Sequence, residues 1–149
     1  MHLVAVVMLL TRYHKNEGFQ DLLGKLDKDK LVGSMGLSDP ATGGHVWSSL
    51  SSKVKVLDKE TLKILKYCSW VTSAGHADWY IIQVTSPDFK GDVSDSSYIL
   101  IYKDEARSSE DDWSSLGLRG NQSGPLVVEG KIPRDRLVGC FGDAFTVRN

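Results

Sequence analysis

Cys68-Ser69-Trp70-Val71-Thr72-Ser73-Ala74-Gly75-His76-Ala77-Asp78-Trp79-Tyr80 decides how this chain is read. It has the form of a strand end, a tight turn and the start of a second strand. Side chains two apart on a strand share a face, so Trp70 and Thr72 point the same way. Gly75 lets the chain turn, and Asp78 is placed to hydrogen-bond the turn backbone. Tyr80-Ile81-Ile82-Gln83-Val84 continues as a β-rich apolar run. An indole plate with a hydroxyl beside it suits a flat, hydrogen-bonding ring system. The same residues also read as a core tryptophan ahead of a hairpin, and the stretch alone leaves both readings open.

Outward from this turn the chain reads as short strands. Upstream, Lys53-Val54-Lys55-Val56-Leu57 alternates, Asp58-Lys59-Glu60-Thr61 is a turn, and Leu62-Lys63-Ile64-Leu65 is a strand. Leu31 to Leu37 is another strand candidate. It runs into the loop Ser38-Asp39-Pro40-Ala41-Thr42-Gly43-Gly44-His45. Gly43-Gly44 would let the backbone approach a ligand closely, although an ordinary connecting loop has the same composition. Downstream, Ser86 to Ser97 is a polar loop and Tyr98 to Tyr102 a strand. Lys103 to Asp112 is a charged, solvated segment, and Leu126 to Glu129 is a strand that Gly130 breaks. Short strands split by Gly, Ser and Asp predict a mainly β fold, an antiparallel barrel or sandwich.

The first residues follow a different pattern. Residues 3–16 are rich in Leu, Val and Met and predict a helix that ends near Gly18, with Gly18 as its cap. Phe19, Leu22, Leu23 and Leu26 predict a second short amphipathic helix. The apolar run Leu3 to Leu10 is far shorter than the ~20 residues of a membrane span. It lacks the flanks of a secretory leader and is read as a buried helix segment. Two helices this apolar need a partner surface, from the rest of the chain or from elsewhere.

The totals set limits. A chain of 149 residues fits one domain with a small appendage. With 18 basic and 19 acidic residues the net charge is -1, which gives no electrostatic case for nucleic acid or an anionic membrane. Cys68 and Cys140 have no ligand-like spacing, and no metal site is predicted. Free thiols fit a reducing compartment, cytoplasmic or mitochondrial matrix, with nothing to choose between them. There is no glycine-rich dinucleotide fingerprint and no P-loop.

Three motifs occur in a fixed order. Gly36-Leu37-Ser38-Asp39-Pro40-Ala41-Thr42-Gly43-Gly44 is the first. Trp70-Val71-Thr72-Ser73-Ala74-Gly75-His76-Ala77-Asp78 is the second. Leu116-Gly117-Leu118-Arg119-Gly120-Asn121-Gln122-Ser123, followed by Ile132-Pro133 and Leu137-Val138-Gly139, is the third. Together, over roughly residues 20–145, they resemble the central β domain of the acyl-CoA dehydrogenase family. The resemblance implies a helical remnant over 1–28, a flavin- and acyl-CoA-binding β domain over 29–145 and a tail over 146–149. It implies FAD as cofactor, an acyl-CoA thioester as substrate, and further helical domains or a homo-oligomeric partner.

The resemblance also assigns residues. The Met35 and Leu37 backbone and the Ser38 hydroxyl would meet the pyrimidine edge of the flavin. Trp70 would lie against the ring, and the Val71 backbone and Thr72 hydroxyl would face its dimethylbenzene and N5 side. Gly43, Gly44, Arg119 and Ser123 would lie toward the substrate. Ser38 stands where the family usually has Thr, Asp39 replaces Glu, and Gly44 replaces a Ser. Lys66-Tyr67-Cys68 stands in place of the family's Gly-x-Lys turn. The family's catalytic glutamate lies in a later helical domain and no carboxylate here matches it, although Glu129 and Asp143 are available acids. The implied activity, α,β-dehydrogenation, is therefore an expectation for a larger enzyme of which this chain would be a fragment. A non-catalytic binding protein, or part of a related oxidase or flavin monooxygenase, is the alternative.

Overall fold

The computed structural model describes residues 1–12, 16–42, 51–92, 95–109, 116–117 and 122–144. Two helices, α1 (His2–Leu10) and α2 (Glu17–Lys25), precede eight strands. These are β1 (Gly33–Gly36), β2 (Ser52–Val56), β3 (Thr61–Thr72), β4 (Trp79–Thr85), β5 (Ser96–Tyr102), β6 (Ala106–Ser108), β7 (Ser123–Pro133) and β8 (Leu137–Val138). They form two four-stranded sheets, β1-β4-β5-β8 and β2-β3-β7-β6. Each sheet keeps its own edges, so the fold is a sandwich rather than a closed barrel. It is not purely antiparallel either, because β1 lies parallel to β4, with Gly33 opposite Trp79 and Gly36 opposite Ile82.

β4 explains the layering. Tyr80, Ile82 and Val84 face the second sheet and join Leu62, Ile64, Val71, Leu126 and Val128 in one core. Trp79 and Ile81 face the other way and join Ala5, Leu9, Phe19, Leu22 and Met35 in a second core beneath the helices. A strand buried on both faces reads as a continuous apolar run, as this one does. Gly33 is where β1 must cross the Trp79 ring: a Cβ there would stand 2.2 Å from the indole.

Several sequence expectations change. The first helix stops at Leu10, with Thr11 as its cap. Gly18 lies inside α2, and Asn16 caps that helix by accepting the Phe19 N–H at 3.2 Å. The Leu3–Leu10 run is only half buried: Ala5 and Leu9 face the core, while Leu3, Val4, Val7 and Leu10 are exposed. Gly130 does not end a strand, because β7 continues through it to Pro133 opposite Thr61. The described part of the charged segment after Tyr102 contains a 3-10 turn, Lys103–Glu105, and the edge strand β6, which pairs with β7.

Candidate functional site

The decisive stretch forms the end of β3, a turn over residues 73–78 and the start of β4. Ser73 and Gly75 both take left-handed backbone, at φ 57° and 75°. A Cβ on Gly75 would also stand 2.3 Å from the Ser108 hydroxyl, so that position requires glycine. The Tyr80 hydroxyl donates back to the Ser73 carbonyl at 3.1 Å and ties the turn to β4. Asp78 acts at longer range than expected. Its carboxylate accepts the Val32 N–H at 2.7 Å, and its own N–H donates to the Val32 carbonyl, fixing the entry to β1.

A register slip exposes Trp70. Along β3, Leu62, Ile64, Lys66 and Cys68 point inward, and strict alternation would bury Trp70 next. The pairing with β7 slips between Cys68, opposite Leu126, and Val71, opposite Gly124. One extra β3 residue fits into that interval, a β-bulge, which re-aims the side chains beyond it. Val71 becomes the buried residue, and Trp70 is left 53% exposed. The bulge thus decides between the core and surface readings of Trp70 in favour of the surface.

Ser38 braces the bulge. Its Oγ accepts the Trp70 N–H at 2.8 Å and donates to the Trp70 carbonyl at 2.9 Å. One turn of β3 is secured alongside, because the Ser34 hydroxyl donates to the Thr72 carbonyl at 2.5 Å. The Thr72 hydroxyl makes no hydrogen bond among the described residues, and Thr72 sits directly opposite Ser123 on β7. Ser38 and Trp70 thus lie one hydrogen bond apart, and Thr72 and Ser123 one register pair further on, at the end of the β3–β7 ladder that forms this edge. Met35 is buried by its side chain and Leu37 half-buried, while β1, which carries Met35, is an edge strand with backbone groups directed away from β4. Gly43, Gly44 and Arg119 lie outside the described residues.

Beneath this edge lies an ion pair that motif reading missed. Lys66 Nζ and Asp39 Oδ2 are 3.1 Å apart, and both side chains are fully buried. The carboxylate also accepts the N–H groups of Ser51 at 2.7 Å and Ala41 at 3.0 Å. Burial by itself would raise the Asp39 pKa. The Ser51 hydrogen bonds and the Lys66 ammonium outweigh it and hold the carboxyl below its ordinary value. The signal was present in the sequence: Lys66 has the inward parity of Leu62, Ile64 and Cys68. The thiol of Cys68 is pushed up to about 11, chiefly by burial.

The two candidate acids are engaged elsewhere. Glu129 is exposed and pairs with Arg107 at 3.0 Å. Asp143 is buried and accepts the Cys140 N–H at 3.0 Å. Surface clefts lined by Asp78, Tyr102, Glu105 and Arg136, and by Thr61, Lys131 and Arg134, do not involve the Trp70 edge. Among the described residues no group of three or more His, Cys, Asp or Glu could hold a metal ion, and no helix is long and apolar enough to cross a membrane. What the edge offers is a half-exposed indole on a backbone held by Ser38, with Thr72 two residues on.

No family model matches the chain. Its fold is nevertheless one found within acyl-CoA dehydrogenases, and the chain resembles part of those proteins in sequence as well. In particular, it is 26% identical over 147 residues to the short-chain-specific acyl-CoA dehydrogenase of Clostridium acetobutylicum, matching 98% of this chain and 38% of that protein. Butyryl-CoA dehydrogenase from Megasphaera elsdenii superimposes with a TM-score of 0.81 at 18% identity, over 95% of this chain and 37% of that one. A prolyl acyl carrier protein oxidase superimposes with a TM-score of 0.82 at 21% identity, over 98% of this chain and 38% of that one. The chain thus spans little more than a third of the length of these relatives.

Proposed function

We propose that this chain is the flavin-positioning portion of an FAD-dependent acyl-CoA dehydrogenase, with residues 29–145 as the cradle and 1–28 as a helical part that packs on it. The observation that carries the reading is Trp70, turned outward by the bulge and braced by Ser38, with Thr72, whose hydroxyl has no partner among the described residues, two residues on. These residues fit the group. The indole gives a plate for the ring, and Thr72 gives a donor with no competing partner among the described residues.

When bound, the flavin would supply the hydride acceptor for α,β-dehydrogenation of an acyl-CoA thioester. The residues of this chain would bind and orient. Ser38 would hold the Trp70 backbone so that the indole keeps its angle. Thr72 would hold a proton toward the ring edge, where a donor stabilises charge that develops on reduction. Ser123, beside Thr72, would lie toward the substrate. Asp39 is not a candidate base, because Lys66 and two backbone N–H groups occupy its carboxylate. The chain's own contribution is therefore positioning, and proton abstraction is assigned to none of its described residues.

Titrating the 149-residue chain with FAD and following flavin fluorescence tests this. The expected result is weak, saturable binding that Trp70→Leu weakens at least about tenfold, a change of about 1.4 kcal/mol. No saturable binding, or equal binding by the Trp70→Leu variant, would overturn the reading.

A further inference from the structure

The outer face of the second sheet carries lysines in register across three strands. Lys55 on β2 stands opposite Lys63 on β3, and Lys63 stands opposite Lys131 on β7. All three are exposed, as is Lys53 two residues from Lys55. None makes an ion pair within 4.0 Å among the described residues. Adjacent strands lie roughly 4.8 Å apart, so the three Cα atoms span about 10 Å in one line. Lys59, in the turn between β2 and β3, adds a further cation beside the row.

Like charges directly opposite one another weaken a sheet. A chain with 19 acidic residues and a net charge of -1 has ample means to place Glu opposite Lys63, yet lysine stands on both sides. Edge-strand protection accounts for lysine on β2, which is an edge, but not on β3 and β7, which are interior. Asp58 is one of the acids beside the row. Its carboxyl is held low first by the Glu60 N–H, with Lys131 a smaller cause. Three bordering carboxylates, one of them already paired with Arg107, do not balance the five lysines.

We propose that this lysine row is a docking surface for the acidic face of a partner protein. Charge complementarity selects the occupant. The row crosses three strands over about 10 Å, so it suits an extended surface instead of a single phosphate. It is also bordered by Asp58, Glu60 and Glu129, with the half-exposed Leu65 and Val127 and the exposed Tyr67 in the adjoining rows. An anionic bilayer would be repelled by those flanking carboxylates. A protein surface can place its acids on the lysines and its apolar groups beside Tyr67.

The test uses the 149-residue chain and a fluorescently labelled oligoglutamate peptide as probe, read by anisotropy. The wild type should bind at low salt and lose at least about tenfold in affinity when salt reaches about 0.2 M, as exposed charges are screened. The triple substitution Lys55→Thr, Lys63→Thr, Lys131→Thr keeps β-forming residues on the exposed face and should weaken binding at least about fivefold. Removing the same charge at and just after the end of α2, with Lys25→Thr, Lys28→Thr and Lys30→Thr, should change binding by less than about twofold. The row also makes a prediction that needs no ligand. Added salt should raise the urea midpoint of the wild type and raise that of the lysine-row variant less. Absence of binding, equal weakening by the two triple variants, tighter binding to phosphatidylserine vesicles than to oligoglutamate, or equal salt responses of the two midpoints would each overturn the proposal.

Discussion

Replacing Lys66 by Met tests the deepest element beneath the Trp70 edge. The change keeps the length of the side chain and removes its charge, leaving Asp39 buried without its cation. Removing one partner of a buried pair typically costs about 3–5 kcal/mol. Here Asp39 retains the Ser51 and Ala41 N–H donors, so the lower end, about 3 kcal/mol, is expected at neutral pH. The pH dependence fixes the cause. In the wild type the Asp39 pKa is lowered by folding, so its contribution is present above the unfolded-state pKa and disappears as pH falls through the folded one. Without Lys66, burial pushes that pKa upward relative to the wild type. The stability gap between the two proteins should therefore be largest near pH 7 and narrow steadily toward acid. Urea unfolding followed by far-UV circular dichroism, at pH 7, 5 and 4, measures it. A gap below about 1 kcal/mol at pH 7, or one that does not narrow with acid, would refute the assignment of a stabilising buried pair.

Other outcomes follow from the same geometry. Ser38→Ala removes both hydrogen bonds to Trp70 at a half-exposed site, so we expect about 1 kcal/mol of lost stability and faster acrylamide quenching of Trp70 in a Trp47→Phe, Trp113→Phe background. Thr72→Val should lower flavin affinity by about 1–3 kcal/mol while leaving the urea midpoint nearly unchanged, because the hydroxyl has no partner within the described protein. Gly33→Ala forces a methyl into the Trp79 ring and should cost about 1–3 kcal/mol or more, read as a fall in the thermal midpoint. With its thiol pushed up to about 11, Cys68 should resist iodoacetamide at pH 8, while the exposed Cys140 reacts; mass spectrometry of native and urea-unfolded protein distinguishes them.

The strands of this fold were legible because their periods are simple. β2, β4 and β5 lie close to where alternation or an apolar run put them, and the turn after Thr72 falls where Gly75 predicts it. The misses have physical reasons. Gly130 costs a strand some stability, but continuous pairing with β3, Gly130 opposite Ile64, overrides that local preference. The pattern around Gly18 gave no warning that Asn16 starts a helix rather than Gly18 ending one. At the candidate site, motif order picked out Ser38 and Trp70, which the structure joins by two hydrogen bonds. What it could not supply was the bulge. Alternation from Leu62 onward places Trp70 inside, and only the slipped pairing with β7 turns it out. Lys66 was readable from its parity, but a lysine at an inward position is discounted until its carboxylate partner, 27 residues earlier in sequence, is found.

The pairing of β3 with β7 sets a timetable for synthesis. Thr61 meets Pro133 and Thr72 meets Ser123, so the longest ladder in the molecule joins segments that leave the ribosome far apart in time. Until the last of these residues has emerged, β3 can zip only to β2, and its other edge stands open to neighbouring chains. A nascent polypeptide stalled before Ser123 should therefore engage holdase chaperones, and one released after Val138 should escape them.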